Sequence, residues 1–179
     1  EVEGQRCVVS EFVQGRNFAE ALKAGHKMQM KQVHSLGRVL AQVLAVLHAK
    51  SAVHGSIQPS NLMVANGVVK VADLGLGRLA HAASLSAARD TSDYRAPENL
   101  LDPAGDLYSM AAVLYHLLTG VHPKSQPQGA ALPLPSRLAP GVSEAFDKLL
   151  LRCLHPKAAL RFGSAQEVLT ELNEMVRLV

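Results

Sequence analysis

Tryptophan is absent from these 179 residues, and four phenylalanines and three tyrosines supply all the aromatic rings. With so few flat side chains and no run of Lys or Arg, a net charge of +3 does not describe a nucleic-acid surface. Cysteine is as scarce. Cys7 and Cys153 lie far apart without metal-ligand spacing, and they read as two buried, reduced thiols of a cytoplasmic protein. Long apolar runs are missing too: the most apolar stretch, Met110 to Leu118, is short and carries His116, so no membrane insertion is expected. No secretory leader is visible. His26, His34, His48, His81, His116, His122 and His155 stand singly, with no pair at ligand spacing beside a third ligand, so they read as surface or core residues.

What is present is apolar material, 48% of the residues, enough for one full core and hence one domain over residues 1–179. The first residue is Glu rather than Met, and the chain is expected to be a segment of something longer. Arg6 to Val13 reads as a strand, turned by Gln14-Gly15-Arg16. Asn17 to Ala24 reads as a short helix, capped by Asn17 with Glu20 three positions on. In Gln32 to Lys50, Val33, Leu36, Leu40, Val43, Leu44 and Leu47 fall at three- and four-residue spacing, one apolar helical face. Asp102 to Thr119 is apolar almost all round, the pattern of a buried helix. Five prolines between Pro123 and Pro140 argue against a regular helix or a central strand there. Helices follow over Ser143 to His155, with Phe146, Leu149, Leu150, Cys153 and Leu154 inward, and over Ser164 to Val176, opened by Ser164 and Glu167.

The organising stretch is Val53 to Gly75, VHGSIQPSNLMVANGVVKVADLG. Asn66-Gly67 between two apolar runs predicts a hairpin, because both turn residues must tolerate positive φ. The order His54, Asn61, Asp73-Leu74-Gly75, Ala96-Pro97-Glu98, Asp106 and Arg161 resembles the large, C-terminal lobe of protein kinases, in the style of bacterial Ser/Thr kinases. The resemblance covers the chain from about Arg6 to its end. It implies an α+β fold, mainly α, with a short hinge strand and small hairpins and with most or all of the small lobe absent. The family's Gly-rich loop, strand Lys and helix Glu would all lie upstream of the hinge. It also implies that the Pro-rich segment 123–140 replaces or shortens a partner-facing helix.

Several roles follow from the resemblance alone. Glu11, Val13 and Met63 match the adenine-reading region, with Ser10 at the gatekeeper position. Asn61 and Asp73 match the two Mg²⁺ ligands. Glu98 and Arg161 would form a buried ion pair, Asp106 would accept backbone N–H groups from the loop at His54, and His54 and Leu74 would stack in an apolar column. The reacting groups are replaced: Gly55 stands for the Arg, Ser56 for the catalytic Asp and Gln58 for the loop Lys. A hydroxyl has no useful basicity near neutrality, and an amide cannot neutralise a transferring phosphoryl group. The expectation is therefore a catalytically inactive pseudokinase, a scaffold or allosteric regulator in signalling, whose partner is another protein or a second copy of itself. Two surfaces are candidates: the Pro-rich segment, and a top face at Phe12, Leu62, Met63 and Leu74. No cofactor is expected beyond weak ATP and Mg²⁺. The alternative is a residual ATP/Mg²⁺-binding module or weak Ser/Thr phosphotransferase completed by an upstream small lobe. A cytoplasmic location, or the cytosolic part of a membrane-tethered protein, fits either. Without the Arg at Gly55, modification at Ser84, Ser86, Thr91 or Ser92 would lack its usual receiver.

Overall fold

The computed structural model describes residues 10–75, 93–125 and 131–177. Helices dominate them. β1 (Arg16–Asn17) and α1 (Phe18–Lys23) precede α2 (Met30–Ala49), and β2 (Leu62–Ala65) and β3 (Val68–Val71) form the hairpin. Then come α3 (Pro103–Thr119), α4 (Pro135–Leu138), α5 (Glu144–Cys153) and α6 (Ala165–Arg177). The sheet is antiparallel in the order β1-β2-β3. Asn66 and Gly67 turn the hairpin at φ 51° and 77°, the pair of positive angles that a two-residue type I′ connection demands.

The N-terminal strand differs from expectation. Residues 6–9 lie outside the described part, and residues 10–14 carry no strand. Pairing begins instead at Arg16 and Asn17, opposite Val64 and Met63, where a turn was expected. Gly15 explains the shift: a β-carbon there would sit 2.3 Å from the Val64 carbonyl oxygen, so only glycine admits this approach to β2. Its glycine serves proximity rather than turning. Asn17 caps α1 as its residue type suggests, its side-chain oxygen accepting from the Glu20 N–H at 3.0 Å.

The core is built around α3, whose side chains are buried on every side by α2, α4 and α5. Asp102 caps its first turn by accepting from the Gly105 N–H at 2.7 Å. Two of its buried hydroxyls are satisfied within the helix, Ser109 to the Gly105 carbonyl and Thr119 to the Tyr115 carbonyl, which spares the core two unpaired donors. Val33, Leu36, Leu40 and Leu44 of α2 and Val168 and Leu172 of α6 close one side. Leu149, Leu150 and Cys153 of α5 close another. Burial pushes the Cys153 thiol up to about 12, so it stays protonated and inert.

Cys7, His81, Pro127 and the four loop hydroxyls at Ser84, Ser86, Thr91 and Ser92 lie outside the described residues. Of the Pro-rich stretch, Pro123–Ser125 is a single 3₁₀ turn and α4 is four residues long. Its described end is tied down: Asp147 accepts from both the backbone N–H and the hydroxyl of Ser136, and the Tyr115 hydroxyl donates to the Pro133 carbonyl at 2.9 Å. No helix among the described residues is long and apolar enough to cross a membrane.

Candidate functional site

The loop from Val53 to Asn61 sits where α2, the hairpin and the start of α3 meet. Its conformation is set by one carboxylate. Asp106, 3% exposed in the first turn of α3, accepts from the His54 N–H (Oδ2, 2.8 Å) and from the Gly55 N–H (Oδ1, 2.8 Å). His48, near the end of α2, brings Nε2 to 3.0 Å from the same Oδ2. One side chain thus satisfies two loop donors that water does not reach. Gly55 takes φ 73°, a left-handed conformation in which a side chain would be strained.

His54 is fully buried, and its Nδ1 accepts from the Ser56 N–H at 3.3 Å. Burial lowers its pKa, with Asp106 and Asp73 pulling the other way. The ring is a neutral brace rather than a base. Its carbonyl accepts from the Gly75 N–H at 3.2 Å, which carries the Asp73 segment alongside the loop.

Asn61, 5% exposed, closes the loop from below. Its amide nitrogen donates to the Ser56 carbonyl at 2.9 Å and to the Ser56 hydroxyl at 3.2 Å, and its backbone carbonyl accepts from the Ala72 N–H at 2.8 Å. Among the described residues the amide oxygen accepts only from the Ser60 hydroxyl, at 3.2 Å. Asp73 stands one residue past Ala72, exposed and at φ 61°, uncommon for a residue other than glycine. The Asn61 amide oxygen and the Asp73 carboxylate are hard oxygen donors of the type Mg²⁺ takes, and this donor set fits that ion. Among the described residues no cluster of three His, Cys, Asp or Glu could hold a metal by itself.

The remaining residues fall into place unevenly. Glu11 pairs with Lys70, the register partner of Met63 on β3, so the segment before β1 and the hairpin stand side by side. Val13 and Met63 are half-buried. Gln58 lines a cleft of ≈ 350 Å³ with Lys23 of α1, Ser60, Tyr94 and His116. A cation therefore stands in this cleft on another element. Leu74 is 54% exposed, so it does not form a buried apolar column with His54. Leu62 is fully buried and belongs to the core rather than to a top face, of which Phe12, 87% exposed, Leu74 and the half-buried Met63 remain.

Farther off, Arg161 fixes the end of the segment that carries Glu98. Its guanidinium meets Glu98 through two contacts, Nη1 to Oε1 at 2.5 Å and Nη2 to Oε2 at 2.8 Å. The other N–H groups donate to the carbonyls of Ala104, His155 and Pro156, which uses all five donors of the buried fork. Arg161 holds the Glu98 carboxyl below its ordinary range.

Two groups were not legible beforehand. His48 counted as a scattered histidine, yet its position four residues past Leu44 on the inward face of α2 was the available signal. Tyr94, His116 and His122 form a ring cluster from three separate segments: the Tyr94 hydroxyl is 2.7 Å from His116 Nδ1, and His122 packs edge-on against both. Nothing in the spacing of these residues announces it.

Comparison with known proteins agrees with this geometry. The protein kinase domain family matches residues 1–172. A probable serine/threonine-protein kinase of Clostridium acetobutylicum is 27% identical over 94% of this chain, and serine/threonine-protein kinase PknJ of Mycobacterium tuberculosis is 30% identical over 92%. The chain spans only 28% and 32% of the length of these two relatives. The kinase domain of M. tuberculosis PknI superposes with a TM-score of 0.72 at 22% identity, covering 93% of this chain and 64% of that one, a likeness of fold. These findings overturn the expectation of a non-enzyme. That expectation rested on Ser56, on Gln58 and on the small-lobe Lys missing from this stretch of sequence, whereas the matching family and the relatives, named as serine/threonine kinases, point to an enzyme.

Proposed function

The chain belongs to the protein kinase domain family, and from that premise we infer that it is the large lobe of a weak Ser/Thr-type phosphotransferase that binds ATP with Mg²⁺. Asn61 carries the reading: its nitrogen is spent on Ser56, and its oxygen, which accepts from the Ser60 hydroxyl, keeps a second lone pair that a cation could take. Bound Mg²⁺ and ATP would supply the phosphoryl group and neutralise its charge. Asn61 and Asp73 would hold the ion, and the segment at Glu11 and Val13 with Met63 would meet the adenine.

Phosphoryl transfer depends mostly on positioning and electrostatics, while a positioned general base contributes about 10²–10⁴-fold. Ser56 in place of a carboxylate therefore lowers the rate without changing the class of reaction. The Ser56 hydroxyl, held by Asn61, can orient a substrate hydroxyl by hydrogen bonding, and its proton is then left to solvent. Lys23, in the cleft shared with Gln58, supplies a positive charge near the loop. The small lobe that roofs the nucleotide in this family belongs to the proposal, as do a protein substrate and a cytoplasmic site of action.

The test is a thermal-shift titration with ATP and Mg²⁺ at millimolar concentration, on the chain with its own upstream sequence, followed by radiolabel transfer to protein. A shift and slow transfer, both lost in Asp73→Ala, are expected. No shift in the unaltered protein sinks the reading.

A further inference from the structure

A cavity of ≈ 1090 Å³ opens away from the loop at His54. Its floor is apolar and adaptable: Met28, Met30 and Met175 line it, three of the chain's five methionines, together with Leu118 at the end of α3. Methionine is the side chain that re-packs most readily around an irregular apolar partner. One wall is a stripe of α2. Lys31, His34, Ser35 and Arg38 stand at i, i+3, i+4 and i+7, hence on one helical face. The other wall is Leu138 to Pro140, the end of the Pro-rich segment that Asp147 anchors through Ser136.

The charge on this lining has one sign. Lys27, Lys31 and Arg38 contribute cations, and among the described residues no Asp or Glu lines the cavity. Among the described residues Lys27 and Lys31 pair with no carboxylate, and Arg38 donates through Nε to the Asn173 amide oxygen at 2.7 Å. The first turn of α2 carries no acidic residue to offset them. His34 is already engaged, 2.9 Å from the Leu172 carbonyl, and holds the wall to α6.

Spacing selects the occupant. Lys31 and Arg38 are seven residues apart on α2, about 10.5 Å along its axis at 1.5 Å per residue. A small anion meets one of them. A second helix lying along α2, with acids at the same seven-residue repeat, meets both while its apolar face covers the methionine floor. We propose that this trough is a docking groove for an acidic amphipathic helix of another protein. The proposal is independent of nucleotide turnover.

Two labelled synthetic peptides of about 15 residues, sharing one Leu pattern and carrying Glu or Lys at the polar positions, test it by fluorescence anisotropy. The Glu peptide should bind and weaken as salt rises, and the Lys peptide should not bind. Lys31→Glu with Arg38→Glu should weaken the Glu peptide about tenfold or more while leaving the melting temperature unchanged. Should the Arg38 change disturb its bond to Asn173, Lys27→Glu with Lys31→Glu repeats the test on exposed side chains. Failure of the Glu peptide to bind overturns the proposal, as does equal binding of both peptides or undiminished binding to the charge-reversed variants. So does dodecanoate binding in the groove to the exclusion of the peptide, or a dimer in light scattering that the charge reversal dissolves.

Discussion

The Asn61 amide nitrogen lies 2.9 Å from the Ser56 carbonyl oxygen and 3.2 Å from its hydroxyl, so one side chain holds both the backbone and the reacting end of the residue that replaced a carboxylate. In the proposed function this loop would present position 56 to the substrate, with a hydroxyl that is weak in basicity.

Restoring the carboxylate should therefore raise activity. Ser56→Asp is expected to increase phosphoryl transfer by about 10²–10⁴-fold, with little change in the ATP concentration that gives half the thermal shift. Radiolabel transfer measured beside that shift checks it, and a rate no higher than the parent's would show that position 56 does not reach the substrate.

Asp106→Ala should loosen the same loop. It orphans the His54 and Gly55 N–H groups, each costing about 1–3 kcal/mol when buried without a partner. Urea unfolding reads the loss, and amide exchange at residues 54 and 55 should rise with it. Unchanged protection at those amides would contradict the role given to Asp106.

Replacing Arg161 by Met should cost about 1–3 kcal/mol, since the carbonyls of Ala104, His155 and Pro156 lose their donor and the partly exposed Glu98 loses its partner. Acid should act through the same pair. The Glu98 carboxyl is depressed below 4.5, so its stabilisation is complete above that value and drains away as pH falls through the folded pKa. Urea titrations at successive pH values should show this slope in the parent protein and not in Glu98→Gln.

The Tyr94 cluster adds a slope at higher pH. His116 and His122 have pKa values lowered from 6.5 by burial, His122 further by His116 and by Lys124, with Asp93 opposing. The unfolded chain therefore takes up protons first, and stability should fall as pH drops below 6.5. Melting temperatures between pH 7.5 and about 5 should converge for the parent and a His116→Gln, His122→Gln variant at the acid end. Parallel curves would remove the two rings from the account.

Gly15→Ala should strip β1 from the sheet, because the added β-carbon meets the Val64 carbonyl at 2.3 Å. A loss of about 1–3 kcal/mol is expected, with amide protection lost at Arg16 and Asn17 and kept along β3.

Local pattern carried much of this fold. The spacing of Val33, Leu36, Leu40 and Leu44 marks the face that α2 buries, Asn66-Gly67 marks the hairpin, and Asp102 marks the start of α3, because each depends on neighbours within one or two turns of chain. Gly15 was misread for the reverse reason: its requirement comes from Val64, nearly fifty residues on. Leu62 and Leu74 were misassigned because burial on a strand or turn depends on what packs over it.

Residue identity by itself settled which chemical groups this protein owns: the amide at 61, the carboxylate at 73, the hydroxyl at 56. It settled the longer helices and the order in which they follow, though not the single turn at Pro135–Leu138, since periodicity and caps are short-range. Three-dimensional packing decided the rest: that His48 meets Asp106 beside the loop, that Tyr94, His116 and His122 cluster, and that Lys31 and Arg38 line one cavity with three methionines. Such groupings join distant segments, and no spacing along a chain encodes the distance between two of its surfaces.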